Sequence, residues 1–431
     1  MIIIKYPEQN TWKELLKRPV LDMETLNATV STVLDDVREN GDDAVKKYEE
    51  RFDGVQLNSL QVTDQEMAEA ETLVSVDLKE AIQLAYKNIY AFHAAQQFQG
   101  VRLEVCQGVT CWQKSVPIEK VGLYIPGGTA PLFSTVLMLA APAKIAGCRD
   151  IVLCTPPNKA GKVNPAILYA ARVAGVNQIF KIGGVQAIGA MAYGTESVPN
   201  VYKIFGPGNQ YVMAAKQKVA TQGVAIDMPA GPSEVEVLAD HSAQPAFVAA
   251  DLLSQAEHGV DSQVILVTTD EELLNKVEQE VEKQLSVLPR QEIARKSLAN
   301  SKMILVKDKE EAMALTNTYA PEHLIIETDD YLKLAEKVVN AGSVFLGHYT
   351  PESAGDYASG TNHTLPTNGY ATAYSGVNLD SFQRKVTFQE LKPEGVRTIG
   401  TAVEVMAENE QLDAHKNAMT LRLEYLKNEN L

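Results

Sequence analysis

From Val121 to Ala146 the chain reads VGLYIPGGTAPLFSTVLMLAAPAKIA. The apolar run at Val121–Ile125 is short and is followed at once by Pro-Gly-Gly, which favours a buried strand that ends in a turn. The longer apolar stretch at Phe133–Ala146 fits a helix. A strand, a glycine-rich turn and a helix in this order are typical of folds in which helices connect the strands of a parallel sheet.

This alternation continues along the chain in two series. The first series predicts further strands at Ile151–Cys154, Gln178–Lys181, Val201–Phe205 and Val235–Leu238. The helices predicted between them are Asn164–Ala174, Gln186–Tyr193 and Gln210–Ala220. The second series predicts strands, with helices between them, at Val264–Val267, Ile304–Val306, Leu324–Ile326 and Val344–Leu346. Together they predict an α/β protein with two Rossmann-like parallel-sheet domains and small helical N- and C-terminal extensions.

The segments around these series have other patterns. The first hundred residues are predicted to be helical, and a capping box at Thr63–Glu66 opens a long helix that runs towards Gln96. Alternation over Val101–Trp112 predicts a hairpin. Thr350–Gly376 is expected to be an ordered loop, and Val403–Lys427 is expected to be helical and charged.

These patterns divide the chain into four parts. The predicted parts are an N-terminal extension at 1–20, a first α/β domain formed by 21–123 and 239–377, a second α/β domain at 124–238, and a C-terminal helical tail at 378–431.

Charge and hydropathy exclude several classes of protein. The 431 residues carry a net charge of −16, which argues against a general affinity for nucleic acid or anionic membranes. The apolar run at Met1–Ile4 is too short for a signal peptide, and no later stretch approaches twenty continuous apolar residues. The four cysteines form no C-x-x-C pair and are expected to be reduced. We therefore expect a cytoplasmic protein that binds neither nucleic acid nor membrane.

Three strand-to-helix turns are rich in glycine, and they lie at Tyr124–Gly128, Ile182–Gln186 and Phe205–Asn209. Glycine lets a ligand approach the backbone closely, and the helix that follows offers free N–H groups to a phosphate. Tight turns of this kind also need glycine for their backbone geometry alone. Because the G-x-G-x-x-G fingerprint is absent from all three, a nucleotide site is indicated without its nucleotide being specified.

Four of the seven histidines lie near acids or amides. Gln255 and His258 lie three residues apart at a predicted helix end, so both can approach one ion, and Asp251 on the same face could support them. The other pairings are Asp356 with His363 in a loop, and Glu410 with His415 in the tail. Two imidazoles, a carboxylate and an amide would suit zinc. A polar helix end, an Asx turn and a solvated helix start explain the same segments without a metal.

Glu322 and His323 stand directly before an apolar strand. An imidazole in a ligand crevice can take a hydroxyl proton near neutral pH, and the adjacent carboxylate can activate water. However, ligand sites in α/β proteins favour the opposite, carboxyl ends of the strands. A polar pair that merely begins a strand remains the alternative.

Eight blocks of the chain resemble the histidinol dehydrogenase family over essentially its whole length. They are YIPGGTAPLFSTVLMLAAPAKIAGC, IFGPGN, IDMPAGPSEV, DLLSQAEHG, APEHLI, AGSVFLG, PESAGDYASGTNHTLPT and AHKNAMTLR. The resemblance implies a four-electron oxidation of L-histidinol via L-histidinaldehyde to L-histidine with two NAD, the last steps of histidine biosynthesis. It also implies one Zn²⁺ per subunit and a homodimer with shared active sites, to which the neighbouring subunit contributes Glu410 and His415.

The resemblance assigns roles to residues of this sequence. It implies that Glu322 and His323 are catalytic and that zinc is held by Gln255, His258, Asp356 and His415. The substrate is expected to contact these four ligands and also Ser233, His323, His363 and Glu410. Contacts with NAD are expected from Tyr124, Gln186 and Asn209. Ala320 departs from the family pattern, since some members have glycine there.

Two other functions fit the same residues without the resemblance. A zinc-dependent hydrolase of a small imidazole or amine substrate could use the same ligands to activate water. A two-lobed binding protein would hold a small molecule without turnover. Neither alternative predicts the formation of NADH.

Overall fold

The computed structural model describes residues 1–18, 23–127, 130–229 and 231–428. These residues form two compact units. The first consists of Met1–Gln96 and Ile118–Phe382, and the second consists of Gln97–Pro117 and the chain from Gln383 onwards. None of the helices in the described part of the chain is long and apolar enough to cross a membrane.

The first unit contains a five-stranded parallel sheet built from the middle of the chain. Its strands are β4 (Lys120–Tyr124), β5 (Asp150–Thr155), β6 (Gln178–Lys181), β7 (Lys203–Phe205) and β8 (Ala225–Ile226), in the spatial order β6-β5-β4-β7-β8. The connecting helices are α5 (Phe133–Ala146), α6 (Pro165–Val173), α7 (Gly184–Tyr193) and α8 (Gln210–Ala220). Apart from two-residue β8, these elements agree with the first predicted series, and the alternating pattern is confirmed. The last strand of that series, Val235–Leu238, lies instead in the other parallel sheet.

Three N-terminal helices cover this sheet and its helices. They are α2 (Met23–Tyr48), α3 (Asp64–Leu73) and α4 (Val76–Ala94), which pack on α7, α6 and α5 respectively. Gly189 of α7 faces Leu34 and Val37 of α2, and a β-carbon there would lie 3.2 Å from both. The capping box at Thr63 is confirmed, but the single long helix is wrong, because Ser75 caps a second helix after α3 ends.

A six-stranded parallel sheet forms the other half of the first unit. Its strands are β1 (Ile2–Lys5), β9 (Glu234–Ala239), β10 (Gln263–Thr268), β11 (Lys302–Leu305), β12 (His323–Glu327) and β13 (Ser343–Leu346), in the spatial order β1-β11-β10-β9-β12-β13. Its helices are α1 (Trp12–Leu15), α9 (Pro245–Ala256), α10 (Glu271–Leu285), α11 (Gln291–Ala299), α12 (Lys309–Tyr319), α13 (Tyr331–Ala335) and α14 (Glu352–Tyr357). The edge strand β1 was not predicted, and α14 lies inside the segment that was expected to be a loop.

The second unit is an antiparallel sheet with two helices. Its strands are β2 (Arg102–Cys106), β3 (Val109–Pro117) and β14 (Gln383–Leu391), and its helices are α15 (Pro393–Asn409) and α16 (Asp413–Asn428). The predicted hairpin is therefore confirmed as β2–β3, while β14 was not predicted. The predicted α/β class with two parallel sheets is confirmed, and the four domain boundaries stay a prediction.

Glu236 is a carboxyl buried in the centre of the six-stranded sheet. The Thr316 hydroxyl donates to its Oε1, and its Oε2 has no hydrogen-bond partner within the described residues. Burial raises the pKa of Glu236 to about 8, against the opposing effects of Thr316 and the Arg18 charge. At pH values between the pKa of Glu236 in the unfolded chain and its pKa in the folded protein, the folded protein holds one more proton than the unfolded chain. The stability of the folded protein therefore falls as the pH rises through this range.

Substituting Glu236→Gln is expected to remove this contribution. Relative to the variant, the wild type should lose about 1.4 kcal/mol of unfolding free energy per pH unit between roughly pH 5 and pH 8. Denaturant unfolding at several pH values measures the difference, and Glu278→Gln on an exposed face of α10 is the matched control. A wild type and E236Q with parallel pH profiles would show that Glu236 is already ionised in the folded protein.

Candidate functional site

A cleft of about 900 Å³ opens at the carboxyl edge of the five-stranded sheet. Tyr124 at the end of β4, Gln186 in α7 and Asn209 before α8 all line it, so the structure brings the three predicted cofactor contacts together. The chain runs outward from β4 to β6 on one side and from β7 to β8 on the other. The cleft therefore lies at the switch point where open α/β sheets bind ligands.

Only glycine fits at position 206, because the backbone beside this cleft has a positive φ there and packs closely against Tyr124. Its φ is +129°, and a β-carbon there would lie 2.1 Å from the Tyr124 carbonyl oxygen. The buried Lys216 donates to the Gly206 carbonyl, and the Asp227 carboxylate accepts from the Gly206 N–H, both at 2.8 Å. This turn is thus held from both sides. Gly128, which belongs to the first predicted turn, lies outside the described residues.

Asn209 caps the start of α8, where its side chain satisfies two of the first N–H groups of the helix. The Asn209 side-chain oxygen accepts from Tyr211 N and Val212 N at 3.0 and 3.1 Å. The Asn209 amide NH₂ remains as the donor that this residue can turn towards a ligand in the cleft.

Glu322 and His323 form a second, buried site at the amino end of β12. Both side chains are fixed by the backbone of Glu234 in the neighbouring strand. Glu234 N donates to Glu322 Oε2 at 2.8 Å, and His323 Nδ1 lies 3.0 Å from the Glu234 carbonyl. Since a carbonyl only accepts, Nδ1 carries the proton, which leaves His323 Nε2 as the free acceptor of the neutral ring.

One further ion pair and one unusual backbone turn lie next to this pair. Arg18 donates to both carboxylate oxygens of Glu234, at 2.6 and 2.8 Å. Ala320 ends α12 in the left-handed conformation with φ +52°, immediately before the Pro-Glu-His segment. Glycine adopts this geometry without strain, so an alanine at this position is held in a backbone conformation that it rarely adopts.

The surroundings of this pair shift its proton affinity strongly. Burial raises the pKa of Glu322 to about 8. Burial alone would lower the pKa of His323, but the carboxylates of Glu352, Glu322 and Asp356 raise it well above its usual value. His323 Nε2 lies 3.7 Å from Asp356 Oδ1 and has no hydrogen-bond partner in the described parts of the chain. These carboxylates stabilise the charged form of the ring, and Nε2 is the ring atom through which His323 can exchange a proton with a bound substrate.

Metal-type ligands gather beside His323. One ligand atom each from His258, Glu352 and Asp356 lies within 4.8 Å of the others. With its amide oriented to satisfy both neighbours, Gln255 donates to Glu352 Oε1 at 2.7 Å and accepts from Glu234 N at 2.9 Å. The structure thus brings Asp356 together with Gln255 and His258, which lie about a hundred residues earlier in the sequence.

Glu352 belongs to this cluster and was missed by sequence reasoning. It follows Pro351 at the start of α14, where an acid is usually a solvated helix start. Its side chain is instead 2% exposed, and its Oε1 lies 3.8 Å from His323 Nδ1. The available signal was its spacing of four residues from Asp356, which places both carboxyls on one helix face.

Ser233 and His363 lie at a small cavity of about 90 Å³ that Glu322 also lines. His363 is oriented by two contacts, with Nδ1 2.9 Å from the Asp356 carbonyl and Nε2 3.1 Å from the Thr135 hydroxyl. Gly206–Gly208 line the same cavity, whereas the next residue, Asn209, lines the large cleft. The turn Gly206–Asn209 therefore lies between the cofactor-sized cleft and the small cavity that Glu322 lines.

Glu410 and His415 belong to the second unit. Glu410 directly follows α15, His415 lies in the first turn of α16, and both side chains are exposed. Their predicted contributions to the ligand set and to substrate binding stay predictions.

The other cluster of acids in the described residues already contains a cation. Asp240, Asp329 and Asp330 surround Lys309, whose Nζ lies 2.8, 2.6 and 2.5 Å from their oxygens. Asp251, which was expected to support the ligands, is buried and shares a hydrogen bond with Glu327. The cluster around Asp356 is the one that combines an imidazole with carboxylates.

The fold and the site together define an α/β enzyme with a cofactor-sized cleft at a sheet switch point and a buried acid–histidine site beside metal-type ligands. The histidinol dehydrogenase family model matches residues 16–423. The chain therefore belongs to the histidinol dehydrogenase family, a family of NAD-dependent oxidoreductases of histidine biosynthesis.

Individual relatives agree with this assignment along the whole chain. A histidinol dehydrogenase of Bacteroides thetaiotaomicron is 69% identical over 427 residues, which cover 99% of this chain and 100% of the relative. One of Salmonella typhimurium is 52% identical over 424 residues, covering 98% and 96%. The crystal structure of histidinol dehydrogenase from Elizabethkingia anophelis superposes with a TM-score of 0.97 at 53% identity, covering 99% of both chains.

Proposed function

We propose that this protein oxidises L-histidinol via L-histidinaldehyde to L-histidine and reduces two NAD in the process. The observation that carries the proposal is the buried Glu322–His323 pair, which lies beside His258 and Asp356 in a member of this family. Family membership does not favour the alternative of a zinc-dependent hydrolase.

We assign the first proton transfer to His323. Its Nδ1–H is committed to the Glu234 carbonyl, so Nε2 is the atom that accepts the proton of the substrate alcohol. The carboxylates around the ring stabilise the imidazolium that forms. NAD, when bound in the cleft lined by Tyr124, Gln186 and Asn209, supplies the acceptor for the hydride.

We assign the activation of water for the second oxidation to Glu322. Its carboxyl lines the small cavity together with Ser233 and His363, which we expect to contact the substrate. A carboxyl whose pKa is raised to about 8 takes up a proton readily near neutral pH. The burial of the site keeps a reactive aldehyde close to Glu322 and His323 between the two oxidations.

The residues beside His323 fit a zinc ion. The cluster offers an imidazole and carboxylates, which are ligands that zinc prefers, and Glu352 Oε2 is buried without a partner among the described residues. We propose that Gln255, His258, Asp356 and His415 hold one Zn²⁺ per subunit. The ion, when bound, would hold the imidazole and amine of the substrate. Glu352 would keep the Gln255 amide in place.

We further propose a cytoplasmic homodimer in which Glu410 and His415 come from the neighbouring subunit. The second unit exposes apolar side chains on its sheet and helices, among them Leu103, Val105, Phe388, Met406 and Tyr425. Exposed apolar surface of this kind favours a protein partner. The four cysteines are free thiols, as a reducing compartment would keep them. Light scattering that gave a monomer at micromolar concentration would contradict the dimer.

Substituting Glu322→Gln is expected to impair the second oxidation more than the first. The amide cannot accept a proton from water, whereas His323 can still accept the alcohol proton. Single-turnover absorbance at 340 nm should show one NADH formed quickly and the second slowed by about 10²-fold or more. The wild type should give two NADH per histidinol. Equal slowing of both steps would contradict the division between Glu322 and His323, and formation of no NADH by the wild type would overturn the proposed function.

A further inference from the structure

A buried carboxylate that was not among the predicted site residues contacts a residue that lines the cofactor cleft. Glu49 directly follows α2, and its side chain is fully buried. Its Oε1 accepts from Gly183 N and from Gln186 Nε2, each at 2.8 Å. A glutamate without a neighbouring cation is rarely buried unless it has a role, because removing a carboxylate from water is costly.

The contact with Glu49 determines how Gln186 presents its amide to the cleft. Since the Nε2 group donates to Glu49, the amide oxygen must point the other way. That oxygen is buried and has no hydrogen-bond partner in the part of the chain that the structure describes. It lies above Gly184, where a β-carbon would come within 3.0 Å of it. A buried acceptor without a partner is costly unless a ligand donates to it.

The start of α7 is also closed to phosphate by its own neighbours. The Gly183 N–H donates to Glu49, and the Gly184 N–H donates to the Tyr124 hydroxyl at 3.0 Å. These are two of the N–H groups that a helix N-terminus would otherwise offer to an anion. This part of the cleft therefore suits a neutral donor, such as a ribose hydroxyl or a carboxamide N–H, better than a phosphate.

We propose that Glu49 is a positioning residue for the cofactor. It fixes the Gln186 amide so that the side-chain oxygen accepts a hydrogen bond from a hydroxyl or carboxamide N–H of NAD. The proposal rests on the proposed binding of NAD in this cleft. It adds Glu49, which does not reach the ligand itself, to the residues that determine how tightly NAD is held.

The variants Glu49→Leu and Glu49→Gln separate this role from simple packing. E49L removes the acceptor and frees the Gln186 amide to rotate, so KM and Kd for NAD should rise about tenfold or more. The KM for histidinol should stay within about twofold, since E49L leaves the acid–histidine site intact. E49Q keeps an oxygen where Oε1 lies and should retain most of the NAD affinity. Should E49L fail to fold, E49M matches the glutamate in length and takes its place.

A double-mutant cycle with Gln186→Leu tests whether Glu49 acts through Gln186. The double variant E49L/Q186L should bind NAD no more weakly than the worse single variant, because both remove the same contact. The exposed neighbour Glu50→Leu is the matched control and should leave all constants unchanged. Additive losses in the cycle, a loss in E49Q as large as in E49L, or a parallel rise in the KM for histidinol would overturn the positioning role. NAD binding unaffected by Q186L would instead refute the placement of NAD in this cleft.

Discussion

Replacing His323 by asparagine is expected to lower kcat for histidinol oxidation by about 10²- to 10⁴-fold, the contribution that a positioned general base makes. Asparagine can keep a donor near the Glu234 carbonyl, but it offers no acceptor of comparable basicity where Nε2 lies. The KM for NAD should change little, because the residues that line the large cleft do not include His323. Steady-state kinetics at saturating NAD and histidinol measure the effect.

The matched control is the exposed His241, where the same substitution should leave kcat unchanged. Zinc content should also stay near the wild-type value in H323N, since His323 is not one of the proposed ligands. A variant that retains more than about a tenth of the wild-type kcat would show that another group takes the alcohol proton.

Substituting Asp356→Asn is expected to remove both metal and activity. Asparagine replaces a charged ligand by a neutral amide, and it also removes the carboxylate nearest His323 Nε2. Zinc in the dialysed variant, measured by mass spectrometry, should fall to about a tenth of the wild-type content or less, with kcat falling in proportion. Excess zinc should restore part of the activity, because Gln255 and His258 remain in place.

The protein provides its own control for this substitution. Asp329→Asn removes a carboxylate from the other acidic cluster, where Lys309 already supplies the positive charge. It should leave zinc content and kcat unchanged. Full activity in a D356N variant shown to be free of metal would contradict the proposed chelate, while an intact zinc content would place Asp356 outside the ligand set.

The buried, locally patterned elements were predictable from the sequence. The bounds of α5 and α8 agree with the prediction residue for residue, because their apolar spacing and turn residues are all local. The edge strand β1 escaped prediction, since four residues pairing with β11 about 300 positions away leave little local signal. Strand β14 is mostly exposed and shows no clear apolar alternation, and it becomes a strand through its pairing with β3.

The residues of the site also divide into those that the sequence predicts and those that it does not. The segments that contain Gln255, His258, Glu322, His323 and Asp356 could be chosen from their residue types and from the resemblance to a family. Glu352 and Glu49 were not chosen, because each resembles an ordinary solvated acid in the sequence, and the spacing of Glu352 from Asp356 is a weak signal by itself. Their burial exists only where α14 packs against α9, and where the turn after α2 meets the start of α7.

The sequence by itself determined the fold class, most of the helices and strands of the two parallel sheets, and the residue types available for chemistry. It could do so because turns, caps and apolar spacing are set by residues a few positions apart. Only the tertiary structure decided which acids are buried away from solvent and which amide faces the cleft. Those properties depend on groups tens to hundreds of residues apart, and burial and hydrogen bonding act through space and not along the chain.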